Sequence, residues 1–289
     1  MSEHEVSCVV RRLITYPVKG CAGIELTHAT LAATGVDHDR VFMVVDDDGG
    51  FRSQRRDPLL AIIRPAIDAA GSRLTLRAPG VADLHLDVDL SSARRPVRLF
   101  GTPYFGIDQG KDAATWLSAL LGAPRRLVRV PPEHDRVTDG WTPGTSGYAD
   151  SSPVHAVSRA SLDELNRRLD VPLPMERFRP NIVLDGWDEP HLEDRIRRLV
   201  IGTAELGYAK PAIRCAVTMV DQDTGGKAGP EPLRTLATYR RAAGAGAGVA
   251  FGVKFSVVRP GELTVGDSVS VTSWHLAETA DNSREPARM

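Results

Sequence analysis

The chain has 289 residues, 42% hydrophobic and 25% charged, which is enough apolar matter to bury a core and rules out disorder over most of its length. Its 36 basic and 37 acidic residues leave a net charge of −1, without the basic excess of a general nucleic-acid binder. Three cysteines (Cys8, Cys21, Cys215) cannot form a fully paired disulfide framework and none sits in a CxxC pair, so structural zinc is set aside and a reducing compartment is expected.

The N-terminal third reads as strands between turns. Val6 to Thr15 is β-rich, Ile24 to Leu31 alternates, and Arg40–Asp46 leads into Asp-Asp-Gly-Gly at 47–50, a hairpin signal before Phe51–Arg55. Leu59–Asp68 and Ser72–Arg77 continue as strands. His85, Asp87 and Asp89 alternate with Leu84, Leu86 and Val88 as the wet face of an edge strand. The first helix is Lys111–Leu121, stopped by Gly122, and it either closes the first unit or belongs to the second. Residues 131–152, rich in Pro, Gly, Ser, Thr and Asp, form a long loop suited to be a site wall.

The second part opens with a strand at Val154–Ser158. A helix follows at Ser161–Leu169, with Ser161 as N-cap and Glu164 completing a capping box. Asn181–Asp185, Arg197–Leu206 and Cys215–Asp221 read as strands, Glu231–Ala243 as a helix, and Gly244–Gly248 as a linker. Phe251–Arg259 and Leu263–Val271 are strands joined at Pro260-Gly261, before a frayed tail at Glu278–Met289. Strands outnumber helices and no βαβ alternation appears, so the fold class is mainly β with some helices (α+β). The glycines at 244, 246 and 248 follow a helix and lack the rest of a dinucleotide fingerprint. Asp221-Gln-Asp-Thr-Gly resembles the start of a calcium loop but has no bidentate Glu, and is read as a turn with Gly225 at positive φ. No apolar run reaches the ~20 residues of a membrane span and Met1–Val6 lacks a signal-peptide core. The expectation is a cytoplasmic protein that partners neither membrane nor nucleic acid.

Four places carry chemistry. Tyr16-Pro-Val-Lys19-Gly20 presents one of only five lysines at a rigid turn. Asp39-Arg40 puts an ion pair at the start of an apolar strand. On an extended chain Arg177, Arg179 and Asn181 share a face, offering forked donors to an anion, or else solvated charges. Arg214-Cys215 sets a thiol beside a guanidinium, which favours a nucleophilic or metal-ligating thiolate, although the following Ala-Val-Thr-Met-Val also suits a buried structural cysteine. His155 and His191 stand alone and read as surface or core residues.

Taken in order, these segments resemble the MOSC superfamily, the molybdenum-cofactor sulfurase C-terminal domain with its companion N-terminal β-barrel. Within it the segments look like the branch of the mitochondrial amidoxime-reducing components and their bacterial relatives. The resemblance is carried by Tyr16-Pro-Val-Lys-Gly-Cys-Ala-Gly-Ile, Gly35-Val-Asp-His-Asp-Arg-Val-Phe-Met-Val-Val-Asp, Gly50-Phe-Arg-Ser-Gln-Arg, Met175-Glu-Arg-Phe-Arg-Pro-Asn-Ile-Val, Arg214-Cys-Ala-Val-Thr-Met-Val-Asp-Gln-Asp-Thr-Gly and Leu263-Thr-Val-Gly-Asp. It implies an N-terminal β-barrel-like domain over 6–125, a MOSC β-barrel domain over 126–274 and a flexible tail at 275–289. It further implies a molybdenum cofactor (molybdopterin) whose metal is ligated by Cys215, the catalytic residue. Lys19, Gly20, Arg40, Ser161, Arg179, Asn181 and Arg214 fall where the family holds the cofactor, with Arg177 as an outlying contact. Three departures stand out: Gly20 where relatives often have Ser, Ala160 before Ser161 where they have Thr, and Ala212 where they carry a second cysteine. The implied activity is reduction of N-hydroxylated small molecules. No fused ferredoxin segment is seen after residue 275, so electrons are expected from a separate electron-transfer protein. The rival reading is a non-catalytic molybdopterin-binding or sulfur-carrier module with a persulfide on Cys215.

Overall fold

Two sheets carry most of the strands in the computed structural model, which describes residues 8–242 and 248–275. The tail at Glu278–Met289, Val6 and all but Gly248 of the Gly244–Gly248 linker lie outside the described residues. The larger sheet has eight strands in the order Val269–Trp274, Ile196–Ile201, Ala204–Arg214, Val249–Arg259, Val154–Ser158, Ile182–Asp185, Val9–Thr15 and Ile24–Leu26. Its neighbours are antiparallel except Val154–Ser158 with Ile182–Asp185. The smaller sheet orders Arg94–Leu99, Thr102–Asp108, Arg126–Arg129, Phe42–Val45 and Val18–Lys19. The mainly β expectation holds. Closure does not: the outer strands of each sheet do not pair with one another, so the sheets are open rather than closed barrels.

The sequence segments interleave. Val9–Thr15 pairs with Ile182–Asp185, and His28–Ala32 pairs with Gly261–Thr264, so these two early strands sit within sheets of the second half. Cys8, Val10, Leu13, Leu31 and Val36 accordingly share one apolar cluster with Leu206, Val253 and Phe255. In the smaller sheet, Phe42, Met43, Val44 and Val45 are all fully buried. Alternation sends Phe42 and Val44 to one cluster and Met43 and Val45 to another, the pattern of a strand covered on both faces. The helix, at Gly110–Leu121, packs Ala113 and Leu117 into the cluster of Phe42 and Val44, so it closes the first unit. Gly122 ends it in the left-handed conformation, at φ 70°.

Several elements differ from expectation for local reasons. Leu59–Asp68 divides into a 3-10 turn, Pro58–Ile62, and a strand, Arg64–Ile67; short apolar runs do not declare their period. Arg197–Leu206 is the bend of a hairpin between Ile196–Ile201 and Ala204–Arg214. Phe51–Arg55 makes only isolated bridge contacts. Cys215–Asp221 is not a strand: Ala216–Met219 is a 3-10 turn, because the Cys215 carbonyl accepts from both the backbone N–H and the hydroxyl of Thr218. The second helix spans Arg159–Asn166 and its N-cap is Ser158, whose Oγ accepts from Ser161 N at 3.1 Å. Ser161 is one turn inside. The third helix is shorter than expected, Leu233–Tyr239. His85 and Asp87 are exposed on an edge strand, and Gly225 turns at φ 69°, both as expected. No helix among the described residues is long and apolar enough to cross a membrane.

Candidate functional site

A cleft open to solvent lies where the two sheets meet. Lys19, Gly20, Arg40, Arg179, Asn181, Arg214 and Cys215 all line it. The lining also includes Arg55 and Lys254, against a single acid, Asp150. Most of these side chains arrive from a strand end or the turn beside it, and Lys254 from the middle of Val249–Arg259, so residues far apart in sequence converge.

Lys19 ends a two-residue strand paired to Phe42–Val45 and is 6% exposed. Its ammonium donates to the Tyr148 carbonyl at 2.9 Å and pairs with Asp150, with the rings of Phe51 and Phe100 at 5.6 and 5.0 Å. Gly20 follows at φ 88°, a conformation an L side chain rarely adopts, and its carbonyl accepts from Gln54 at 2.6 Å.

Arg40 and Arg179 form a stack. Both guanidiniums lie 4.3 Å from the centre of the Tyr16 ring, and the Tyr16 hydroxyl donates to the Pro180 carbonyl. Both arginines also hold left-handed backbones, at φ 48° and 56°. Arg179 therefore interrupts any extended run, and the shared face expected for Arg177, Arg179 and Asn181 does not form. Arg177 sits behind the cleft wall, donating to the Thr218 carbonyl and to Asp221. It braces the turn after Cys215 rather than facing the cleft.

Asn181 is 1% exposed and fully engaged. Its Oδ1 accepts from Arg40 and from His155 N, and its Nδ2 donates to the Ile14 carbonyl and to Asp39. Asp39 in turn pairs with Arg40 at 2.6 Å. Asn181 has no donor left over, so it acts on the cleft by orienting Arg40. Ser161 does not reach the cleft: its Oγ donates to the buried Glu193 and accepts from His191 N. The expectation of a cofactor contact at Ser161 is thereby corrected, since its hydroxyl is consumed in an interior polar knot.

At the other end Arg214 donates to the Phe178 carbonyl at 2.9 Å, and Cys215 follows in extended conformation, half-buried on the cleft. Burial lowers the pKa values of Lys19, Arg179 and Arg214, the mark of cations drawn out of water with too little negative charge nearby. Burial, with Arg214 and Lys254, also holds His155 well below its ordinary value, so its ring is neutral near pH 7. Lys254 is lowered to about 8, first by burial, while Asp150 works the other way.

Three contributors escaped the sequence reading. Tyr16 reads in the sequence as part of a turn, although its ring lies 4.3 Å from two guanidiniums. Lys254 was missed although a charge inside Phe251-Gly-Val-Lys-Phe-Ser-Val is itself the signal: an apolar strand keeps a lysine only where something takes its ammonium. Asp150 sits in the polar 131–152 loop, where one more aspartate carries no pattern. That loop does wall the cleft, through Ala149, Asp150 and Ser152.

Residues 7–124 match the MOSC N-terminal beta barrel domain and residues 143–270 the MOSC domain. The chain is 34% identical over 278 residues to the mitochondrial amidoxime-reducing component 1 of Homo sapiens, covering 90% of this chain and 82% of that one. Identity to the mitochondrial amidoxime reducing component 2 of Rattus norvegicus is 35% over 280 residues, with the same shares covered. A molybdenum cofactor sulfurase of Danio rerio is 30% identical over 256 residues, which is 81% of this chain and 31% of the sulfurase. With both domains matched and relatives above 30% identity along nearly the whole chain, this protein belongs to the MOSC family.

Proposed function

We propose that this protein is a molybdenum-cofactor oxidoreductase that reduces N-hydroxylated small molecules with electrons from a separate redox protein. One observation carries the reading: a half-buried thiol and six cations, Lys19, Arg40, Arg55, Arg179, Arg214 and Lys254, line one cleft with one carboxylate, Asp150, among the described residues that line it. Among the described residues, the buried donors Nη2 of Arg179 and Nε of Arg214 have no partner, and neither has His155 Nε2. Such groups are costly unless a ligand completes them. An anionic ligand rich in acceptors does so, and a soft metal suits the Cys215 thiolate. The residues therefore fit molybdopterin, with Cys215 as metal ligand and Lys19, Arg40, Arg179 and Arg214 as its clamps.

When bound, the cofactor supplies the two-electron chemistry that breaks the N–O bond. Balance requires two protons, and the products are the reduced nitrogen compound and water. The chain's own residues hold and orient. Arg40 is set by Asp39 and Asn181, Arg179 by its stack on Tyr16, and the Lys254 ammonium by Ser151 Oγ at 2.8 Å, where it can hold a proton near neutral pH. The names of the amidoxime-reducing relatives support this substrate class.

Protein from a molybdate-fed host should contain stoichiometric molybdenum and should reduce an amidoxime with an artificial electron donor. Cys215→Ser should fold but lose metal and turnover, because a hydroxyl is a poor partner for a metal among sulfur ligands. Cys8→Ala and Cys21→Ala should keep both. Wild-type metal content in Cys215→Ser would reject the ligand assignment. The likeness to a sulfurase favours a second reading, a sulfur carrier; cyanide-labile sulfur on Cys215 without metal would select it.

A further inference from the structure

Among the described residues that line the cleft Asp150 is the one acid, and only one oxygen of its carboxylate is hydrogen-bonded. Its Oδ1 accepts from Lys19, Oδ2 has no hydrogen bond among the described residues, and the side chain is 63% exposed. The backbone around it is pinned. Arg136 donates to the carbonyls of Ala149 and Asp150 at 2.6 Å each, and Ser151 takes the ammonium of Lys254. The carboxylate is thus anchored through its backbone and through Oδ1 on Lys19, which leaves Oδ2 open to solvent. Desolvation by the cleft walls opposes its charge, but Lys19, Lys254 and Arg40 outweigh this and hold the carboxyl well below its usual range. The aromatic rings of Phe51 and Phe100, 4.7 Å apart, flank the same lysine and give the mouth an apolar side.

Oδ1 is matched by Lys19, but in a cleft that grips an anion an ionised carboxylate whose second oxygen stays unmatched costs binding unless that oxygen meets a donor. Among N-hydroxylated compounds, amidoximes and N-hydroxyguanidines carry N–H donors on the carbon next to the reacting nitrogen. A hydroxamic acid places a carbonyl oxygen there, which a carboxylate repels. The amidine or guanidine formed by reduction is a cation whose planar fork matches a carboxylate. We propose that Asp150 is a specificity-determining residue that accepts these N–H groups and selects amidine-type substrates over hydroxamic acids. The inference rests on the reductase reading above.

The test uses the molybdenum-loaded enzyme and its Asp150→Asn and Asp150→Ala variants. Calorimetric titration with an aryl amidine should show binding about tenfold to a hundredfold weaker in Asp150→Ala, since a charge-assisted pair is lost. The matching aryl carboxamide should bind both proteins alike. In steady state the kcat/KM ratio of an amidoxime to a hydroxamic acid should fall, chiefly through KM for the amidoxime. Asp150→Asn, which keeps shape and one acceptor, should lie between. If Asp150 serves only to position Lys19, both substrates will suffer together with metal retention and the ratio will stay put, which overturns the proposal. Unchanged amidine affinity in Asp150→Ala overturns it too. Should the wild-type enzyme reduce no N-hydroxylated compound, the reductase reading fails alone, because the amidine titration still decides whether Asp150 binds that cation.

Discussion

Arg179 and Asn181 lie two positions apart yet should fail in different ways when replaced. Arg179 lines the cleft and its Nη2 has no partner among the described residues, so Arg179→Lys, which keeps charge and loses the planar fork, should speed cofactor release while barely moving the melting temperature. Asn181→Ala removes four hydrogen bonds at a buried position and leaves partners unsatisfied, each costing about 1–3 kcal/mol. It should lower Tm by several degrees and release cofactor as well, through a disoriented Arg40. Arg94→Lys, at a surface pair with Glu133, should do neither. Thermal melts and cofactor-release rates under one protocol separate the three; equal release from all of them would make the Arg179–Asn181 segment mere scaffold. Lys254 gives a second test at this scale. Its folded pKa of about 8 lies below the unfolded value of about 10.4, so folding disfavours its charged form. The penalty is full below pH 8 and fades as pH rises toward the unfolded value, so this group makes the fold relatively more stable with rising pH. In cofactor-free protein Lys254→Met should therefore raise Tm by a few degrees at pH 7, with the gap closing near pH 10. A wild type that melts higher at pH 7 would show that Asp150 and Ser151 fully compensate the buried charge.

Elements with a strong local signal were legible, and those decided by a single hydrogen bond were not. The helix at Gly110–Leu121 announced itself through apolar spacing and Gly122, and the Asp-Asp-Gly-Gly turn at 47–50 through residues that accept left-handed backbone; Gly49 indeed sits at φ 76°. The stretch after Cys215 reads as strand because Val and Thr dominate it, yet the Thr218 hydroxyl reaches back to the Cys215 carbonyl and winds it into a turn. That turn is functional in consequence: it stops the strand Ala204–Arg214 so that Cys215 stands at its end on the cleft. In the second helix the serine three residues too early caps the end, since Ser158 leaves its strand extended at ψ 153° with its hydroxyl aimed at Ser161 N. The cleft could not be read from periodicity. Its residues are brought together by sheet order, and only the resemblance of the motifs placed Lys19, Arg40, Arg179 and Arg214 in one site. Asp150 and Lys254 lay outside those motifs.

At the scale of the whole molecule the two matched domains are not two separate bodies of structure. Val9–Thr15 is the seventh strand of the eight-stranded sheet, hydrogen-bonded on one side to Ile182–Asp185. Six buried residues from its neighbourhood, Cys8, Val10, Leu13, Ala29, Leu31 and Val36, complete the cluster that holds Val253 and Phe255. At about 1.5–3 kcal/mol for each large apolar side chain, their removal forfeits an amount comparable to the ~5–15 kcal/mol that keeps a typical protein folded. It also bares the edge of Ile182–Asp185, whose Ile182, Val183 and Leu184 are at most 1% exposed in the intact chain. An unpaired apolar edge of this kind templates association with other chains. A fragment of residues 126–289, cut at the expected domain boundary, should therefore be unfolded or aggregated. The full chain should melt in one cooperative transition, and a fragment supplied with a peptide of residues 8–40 should regain β-structure by circular dichroism. A 126–289 fragment that stayed monomeric and melted cooperatively on its own would show that the first strand is an accessory of the second half, and the cleft between the sheets would then have to tolerate independent motion of its two walls.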